Sequence, residues 1–142
     1  MSLSQLTQGS IQQAFCFAAL LMISLCVRAE TASVYFIEPM DGQVVSSPVT
    51  VKFGLQGMGV APAGVVRDNT GHHHLLINVD SLPDLSKPLP KSDQVRHFGG
   101  GQTEATIELA PGTHTLQLVL GDFAHRPHAK PVVSKKITIT VK

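Results

Sequence analysis

Cysteine, tryptophan and charge are scarce in this chain of 142 residues: it has two cysteines, no tryptophan, and only 15% charged side chains. Both cysteines, Cys16 and Cys26, fall inside the apolar stretch Ala14 to Val27. The rest of the chain therefore has no thiolate ligand, no cysteine nucleophile and no disulfide. Clustered base is missing as well. After Ala29, ten Lys and Arg stand against ten Asp and Glu, a balance that argues against nucleic acid, whose binding needs a patch of base to neutralise phosphates. No window carries apolar residues at i, i+3, i+4 and i+7 over more than one turn, so no amphipathic helix is expected. No apolar run reaches the roughly 20 residues that a bilayer-crossing helix requires, and none is expected after residue 29.

The apolar stretch reads instead as the hydrophobic region of a secretory signal peptide, and Val27-Arg28-Ala29 offers small or modest residues for cleavage after Ala29. Residues 1–13 contain no Lys or Arg, which leaves a retained leader as the alternative. Leu25 stands where a lipobox has Gly or Ala, which disfavours a lipid anchor on Cys26. The expected product is a periplasmic or secreted chain of residues 30–142, a single-domain length that can bury about two thirds of its unfolded surface.

In that chain, short β-branched or aliphatic runs alternate with Gly, Pro, Asn and Asp clusters. The expected fold is all-β, an immunoglobulin-like β-sandwich of about seven strands. The runs are Val34 to Ile37, Val49 to Leu55, His73 to Val79, Thr103 to Leu109, Thr113 to Leu120 and Val132 to Val141, with a short extra strand near Gln94 to Phe98. Period-two alternation turns His73, Leu75 and Ile77 towards the core, together with Leu116, Leu118 and Leu120, and leaves His72 and His74 on the opposite face.

Histidine is what the sequence has in an unusual pattern. Seven are present, His72, His73, His74, His97, His114, His125 and His128. If successive strands reverse direction, six of them fall at one end of the sandwich. His72 and His74, two apart on one strand, project to one face about 7 Å apart, close enough to lean onto one ion. His125 and His128 share the proline-stiffened loop Gly121-Asp-Phe-Ala-His-Arg-Pro-His128. His97 precedes three glycines, which permit close backbone approach; no phosphate-cradling loop is expected, since the Lys and Ser/Thr of that motif are missing. His73, pointing through the sheet, Met58 between two glycines, and Asp122 are weaker candidates. His114 opens a strand beside Pro111-Gly112, where a corner residue bonds nearby backbone.

The strings Gly71-His-His-His-Leu-Leu-Ile77, His97-Phe-Gly-Gly-Gly-Gln-Thr-Glu104, and Pro111-Gly-Thr-His-Thr-Leu-Gln-Leu118 followed by Gly121-Asp122 and His125-Arg-Pro-His128 resemble one secreted bacterial family, that of the domain of unknown function number 4399. The likeness spans about residues 34 to 141, with all seven histidines at motif positions. It implies a secreted or periplasmic β-domain and assigns no activity.

Three functional readings follow. The first is a metal-binding module whose ion, copper ahead of zinc, sits at a histidine-rich surface; a thioether from Met58 would favour Cu(I), and a carboxylate from Asp122 or Glu104 would suit zinc. The second is a non-enzymatic module whose loops recognise an envelope protein or glycan. The third is a metal-dependent hydrolase, with three imidazoles leaving a position open for water; no nucleophile elbow or carboxylate pair accompanies it.

Overall fold

The computed structural model describes residues 31–142; the apolar stretch 14–27 and the expected cleavage after Ala29 lie outside the described residues. Among the described residues nine strands form: β1 (Ser33–Glu38), β2 (Val44–Val45), β3 (Val49–Gln56), β4 (Gly59–Val60), β5 (Thr70–Ile77), β6 (Val95–His97), β7 (Glu104–Ile107), β8 (Gly112–Gly121) and β9 (Ile137–Val141). Among the described residues no helix is long and apolar enough to cross a membrane. One sheet has the order β1-β3-β7, the other β2-β9-β8-β5-β4 with β6 paired to β5.

Alternation explains the core. Val34, Val51 and Phe53 of the first sheet join Leu75, Ile77, Leu116, Leu118, Leu120 and Ile139 of the second in one buried cluster. Each is every second residue of its strand, so one face of each strand carries the apolar set. Each such side chain contributes about 1.5–3 kcal/mol when fully buried.

The last expected strand is broken in two. Val132 and Ile137 both enter the main core, but they are five apart, an odd spacing that a continuous period-two strand cannot satisfy. Val133 makes only a lone bridge to Val119, and regular pairing with β8 begins at Ile137. At the break the Ser134 hydroxyl accepts the Leu118 N–H at 2.9 Å and donates to the Lys135 carbonyl at 2.7 Å. The two-residue strands β2 and β4 carry too little pattern to be expected from sequence.

A second departure positions the functional site. The outer face of β5 is covered, because Leu76 and Val119 pack against Leu89 and Val95 in a second buried cluster. The segment that runs from β5 to β6 lies across the sheet and is held there by the Ile77 N–H to Gln94 carbonyl bond at 2.8 Å. As a result every residue of β5 from Gly71 to Ile77 is buried. At the opposite corner His114 bonds Asn78 through Nδ1 at 2.9 Å and donates from Nε2 to the Ala110 carbonyl at 2.8 Å, a fold-holding role.

Candidate metal centre

Register brings the histidines together. In β5, His72 pairs with Gly121 and His74 with Val119 of β8, while His97 at the end of β6 pairs with His74. The fourth ring comes from the loop after β8. There the Asp122 carboxylate accepts the N–H groups of Ala124 and Arg126 at 2.8 and 2.9 Å, and the Asp122 N–H donates to the Arg126 carbonyl at 2.8 Å. This tight loop holds His125 at φ 62°, a left-handed conformation that a non-glycine residue adopts at some cost. The strained backbone turns the His125 ring back over the sheet.

Four imidazoles therefore meet: His72 and His74 have ring centroids 4.7 Å apart, and His125 lies 5.0 Å from His72 and 4.5 Å from His97. Ligand atoms of His72, His74 and His125 all lie within 4.8 Å of one another. Nitrogens bound at about 2.0–2.1 Å to a common ion stand roughly 3 to 4 Å apart, so small ring rotations would close this set on a metal. His97 and His125 already approach at 2.9 Å between their Nε2 atoms, one ring donating and the other accepting.

Glycines make room for the rings. A Cβ at position 121 would come within 2.6 Å of His74 Cε1 and 3.0 Å of its Nδ1, and a Cβ at 99 would run into His97 Nε2. Close approach is thus the use of Gly99, while Gly121, part of the loop motif in the sequence, carried no sign there of its contact with His74. Replacing Gly121 with alanine is expected to cost about 2 kcal/mol by overpacking and to weaken metal binding by displacing His74. Chemical denaturation and a metal titration on the variant check both; unchanged metal affinity would show that the His74 ring position is unimportant.

Burial sets the charge state. His72 is 0% and His74 1% exposed, which replaces the expected surface site with an interior one. Desolvation, followed by repulsion from the His125 and His97 rings, lowers the His72 pKa to about 4, with nearby Asp122 opposing. His74 is lowered to about 3, again by burial first and then by His72, His97 and His125. His97 is also lowered, by burial, then His125, then the Lys91 ammonium. Neutral imidazoles are what a metal needs. Both ring nitrogens of His72 and of His74 are buried and outside hydrogen-bonding geometry with any described residue. Buried polar atoms seldom go unpaired; both His73 nitrogens share this state, but at His72 and His74 it coincides with the converging His125 ring, an arrangement that fits a bound cation.

The other sequence candidates lie elsewhere. His73 points through the sheet onto Phe53, ring centroids 5.0 Å apart, because neighbouring residues on a strand face opposite ways. His128 follows Pro127, which bridges back to Gly121; its Nε2 is buried close over Gly71 without a hydrogen-bond partner. Met58 is partly buried against the main core, and it lines, with His128 and Asn69, a separate cavity of about 330 Å³. The thioether is therefore apart from the four-ring cluster. Asp122 shapes the loop through Oδ1 and is not part of the converging His72, His74 and His125 group.

A family model for the domain of unknown function DUF4399 matches residues 51–142, which include all seven histidines. No curated protein matches the chain. Among solved structures, the chain is similar to the X-ray structure of the endo-beta-1,4-mannanase from Thermotoga petrophila, at 18% identity and a TM-score of 0.47. That likeness covers 89% of this chain and 22% of the mannanase chain. A likeness this distant carries no argument about activity.

Proposed function

The chain belongs to the DUF4399 family, a domain of unknown function, and we propose that it is a binding module for one transition-metal ion held by His72, His74 and His125. The observation that carries this reading is the convergence of the His125 ring on the buried His72 and His74, whose ring nitrogens are orphaned. Copper stands ahead of zinc on the greater affinity of nitrogen ligands for Cu(II), since the soft Met58 sulfur lies elsewhere. Secretion to the periplasm, with residues 1–29 as its signal peptide, completes the proposal. The strand orders β1-β3-β7 and β2-β9-β8-β5 support an immunoglobulin-like sandwich, since they follow the A-B-E and G-F-C arrangement of that fold.

Binding is favoured over hydrolysis because the converging group is three histidines with no carboxylate among them, and Asp122 Oδ1 beside it accepts the N–H groups that shape the loop. Titration of the metal-free purified chain with Cu(II) and Zn(II) against a competing chelator tests the reading. One equivalent bound more tightly than about 10 μM, and lost in a His72→Ala, His74→Ala, His125→Ala variant, is the expected outcome; equal binding by that variant would refute it.

A second reading, a protein- or glycan-interaction module, draws on exposed apolar side chains near the same end. Val66 is 76% and Phe123 44% exposed, and the Gly64 N–H to Phe123 carbonyl bond at 2.9 Å ties their loops together. Partner capture that survives chelation and is lost in Phe123→Ala would favour it.

A further inference from the structure

The metal reading leaves one charge problem, and the surroundings of the cluster answer it. His72, His74 and His125 are neutral as ligands, so a divalent ion held by them would keep both its charges. Nearby, the Asp122 carboxylate and the Lys91 ammonium are of opposite sign, and both act electrostatically on the cluster, Asp122 on His72 and Lys91 on His97. They act in opposite directions, and a doubly charged ion in a poorly solvated site is stabilised by a counter-charge.

Space for one is present. His74, His97 and His125 form one wall of a cavity of about 330 Å³ whose remaining lining is Pro88, Leu89, Pro90 and Lys91. No carboxylate lines it among the described residues. His72 is fully buried and is not part of that wall, so an added ligand would reach an ion held by the rings from the cavity side, past His74 and His125. The covering segment is fixed to the site by the Leu89 N–H to His125 carbonyl bond at 2.8 Å. The volume is at the lower end of the range of small-molecule sites.

Resting on the metal reading above, we infer that the ion takes an exogenous small anion in this cavity, a short carboxylate whose charged end meets the metal and Lys91 and whose apolar end lies on Pro88, Leu89 and Pro90. The binding is reversible ligand exchange, the anion displacing a metal-bound water, and requires no redox step. The chain would then bind a metal–carboxylate pair in place of a bare ion.

Azide and butyrate are suitable probes, added separately to the purified chain loaded with one equivalent of Cu(II). Each is expected to change the copper visible spectrum saturably, with a dissociation constant of the order of 1 mM or below, and butyrate more tightly than formate. Lys91→Gln, at an exposed residue, is expected to weaken anion binding about threefold while Cu(II) affinity is not reduced. Copper binding with no anion response, or with an anion response identical in Lys91→Gln, overturns this inference and leaves the metal reading standing. Failure of the unmodified chain to bind copper overturns both.

Discussion

Substitution of His74 by alanine lowers Cu(II) affinity by about a hundredfold or more, since even changes to groups that merely support a metal's ligands cost 10- to 100-fold. His74 lies at the centre of the argument because its ring contacts those of His72, His97 and His125. The same substitution has a much smaller effect on the metal-free fold. Truncation leaves a cavity, but it also removes two buried nitrogens that lack hydrogen-bond partners, each costing about 1–3 kcal/mol in the native state. These two effects roughly offset. His114 provides the contrast: both its ring nitrogens are bonded, to Asn78 and the Ala110 carbonyl. His114→Ala should cost about 1–2 kcal/mol of stability and leave metal affinity unchanged. Competition titration and urea denaturation of the two variants separate a ligand from a fold-holding histidine; a large loss of metal-free stability in His74→Ala with copper affinity intact would reverse the assignment.

Acid unfolds the metal-free chain earlier than carboxylate titration alone would. The folded-state pKa values of His72 and His74 lie near 4 and 3, below the ordinary 6.5. The unfolded chain therefore takes up protons at a higher pH than the folded one, and stability rises with pH where it does so. The stability that rests on keeping these rings neutral is complete above about pH 6.5 and is lost as pH falls towards 4 for His72 and 3 for His74. Discounted for solvent screening, the loss for the pair is about 3 kcal/mol by pH 4.5, a large part of a typical domain's 5–15 kcal/mol. Urea midpoints measured between pH 7 and 4.5 should fall steeply in the unmodified chain and much less in a His72→Gln, His74→Gln variant. A saturating metal ion binds the folded state and should shift the transition to lower pH. A flat profile in the metal-free chain would show that the two rings are not held neutral by burial.

How much of this was legible in the residues depends on which interaction fixes each of them. Period-two alternation put His72 and His74 on one face and sent His73 through the sheet, and the structure has all three so placed. Reversal of successive strands brought His97 and the loop of His125 to the same end, because register in a sheet with a buried face is strongly specified. The path of the loop itself was not legible. Asp122 caps and Pro127 folds back onto Gly121, so His125 faces the cluster and His128, three residues on, faces Gly71.

Burial of His72 and His74 was also hidden. Their cover comes from the segment bearing Leu85, Leu89 and three prolines, Pro83, Pro88 and Pro90, which has no helical or strand period to read. A strand open to solvent on one side and one covered on both can share the sequence His-His-His-Leu-Leu-Ile. Lys91 and Gly121 acquire their significance from the same cover and from the His74 ring, neither of which has a local signature. The break after Val133 is different: the odd spacing of Val132 and Ile137 was present in the sequence, and counting it would have shown that one strand could not carry both.

Central to the proposed function is an ion held by imidazoles that converge from β5, β6 and the loop after β8. Pulsed electron paramagnetic resonance of the purified chain with one equivalent of Cu(II) counts the coordinated imidazoles directly. Three or more equatorial imidazole nitrogens, reduced in number by His74→Ala and unchanged by His128→Ala, is the predicted result. A spectrum of one or no imidazole, or one that His72→Ala, His74→Ala and His125→Ala together leave unaltered, would contradict it.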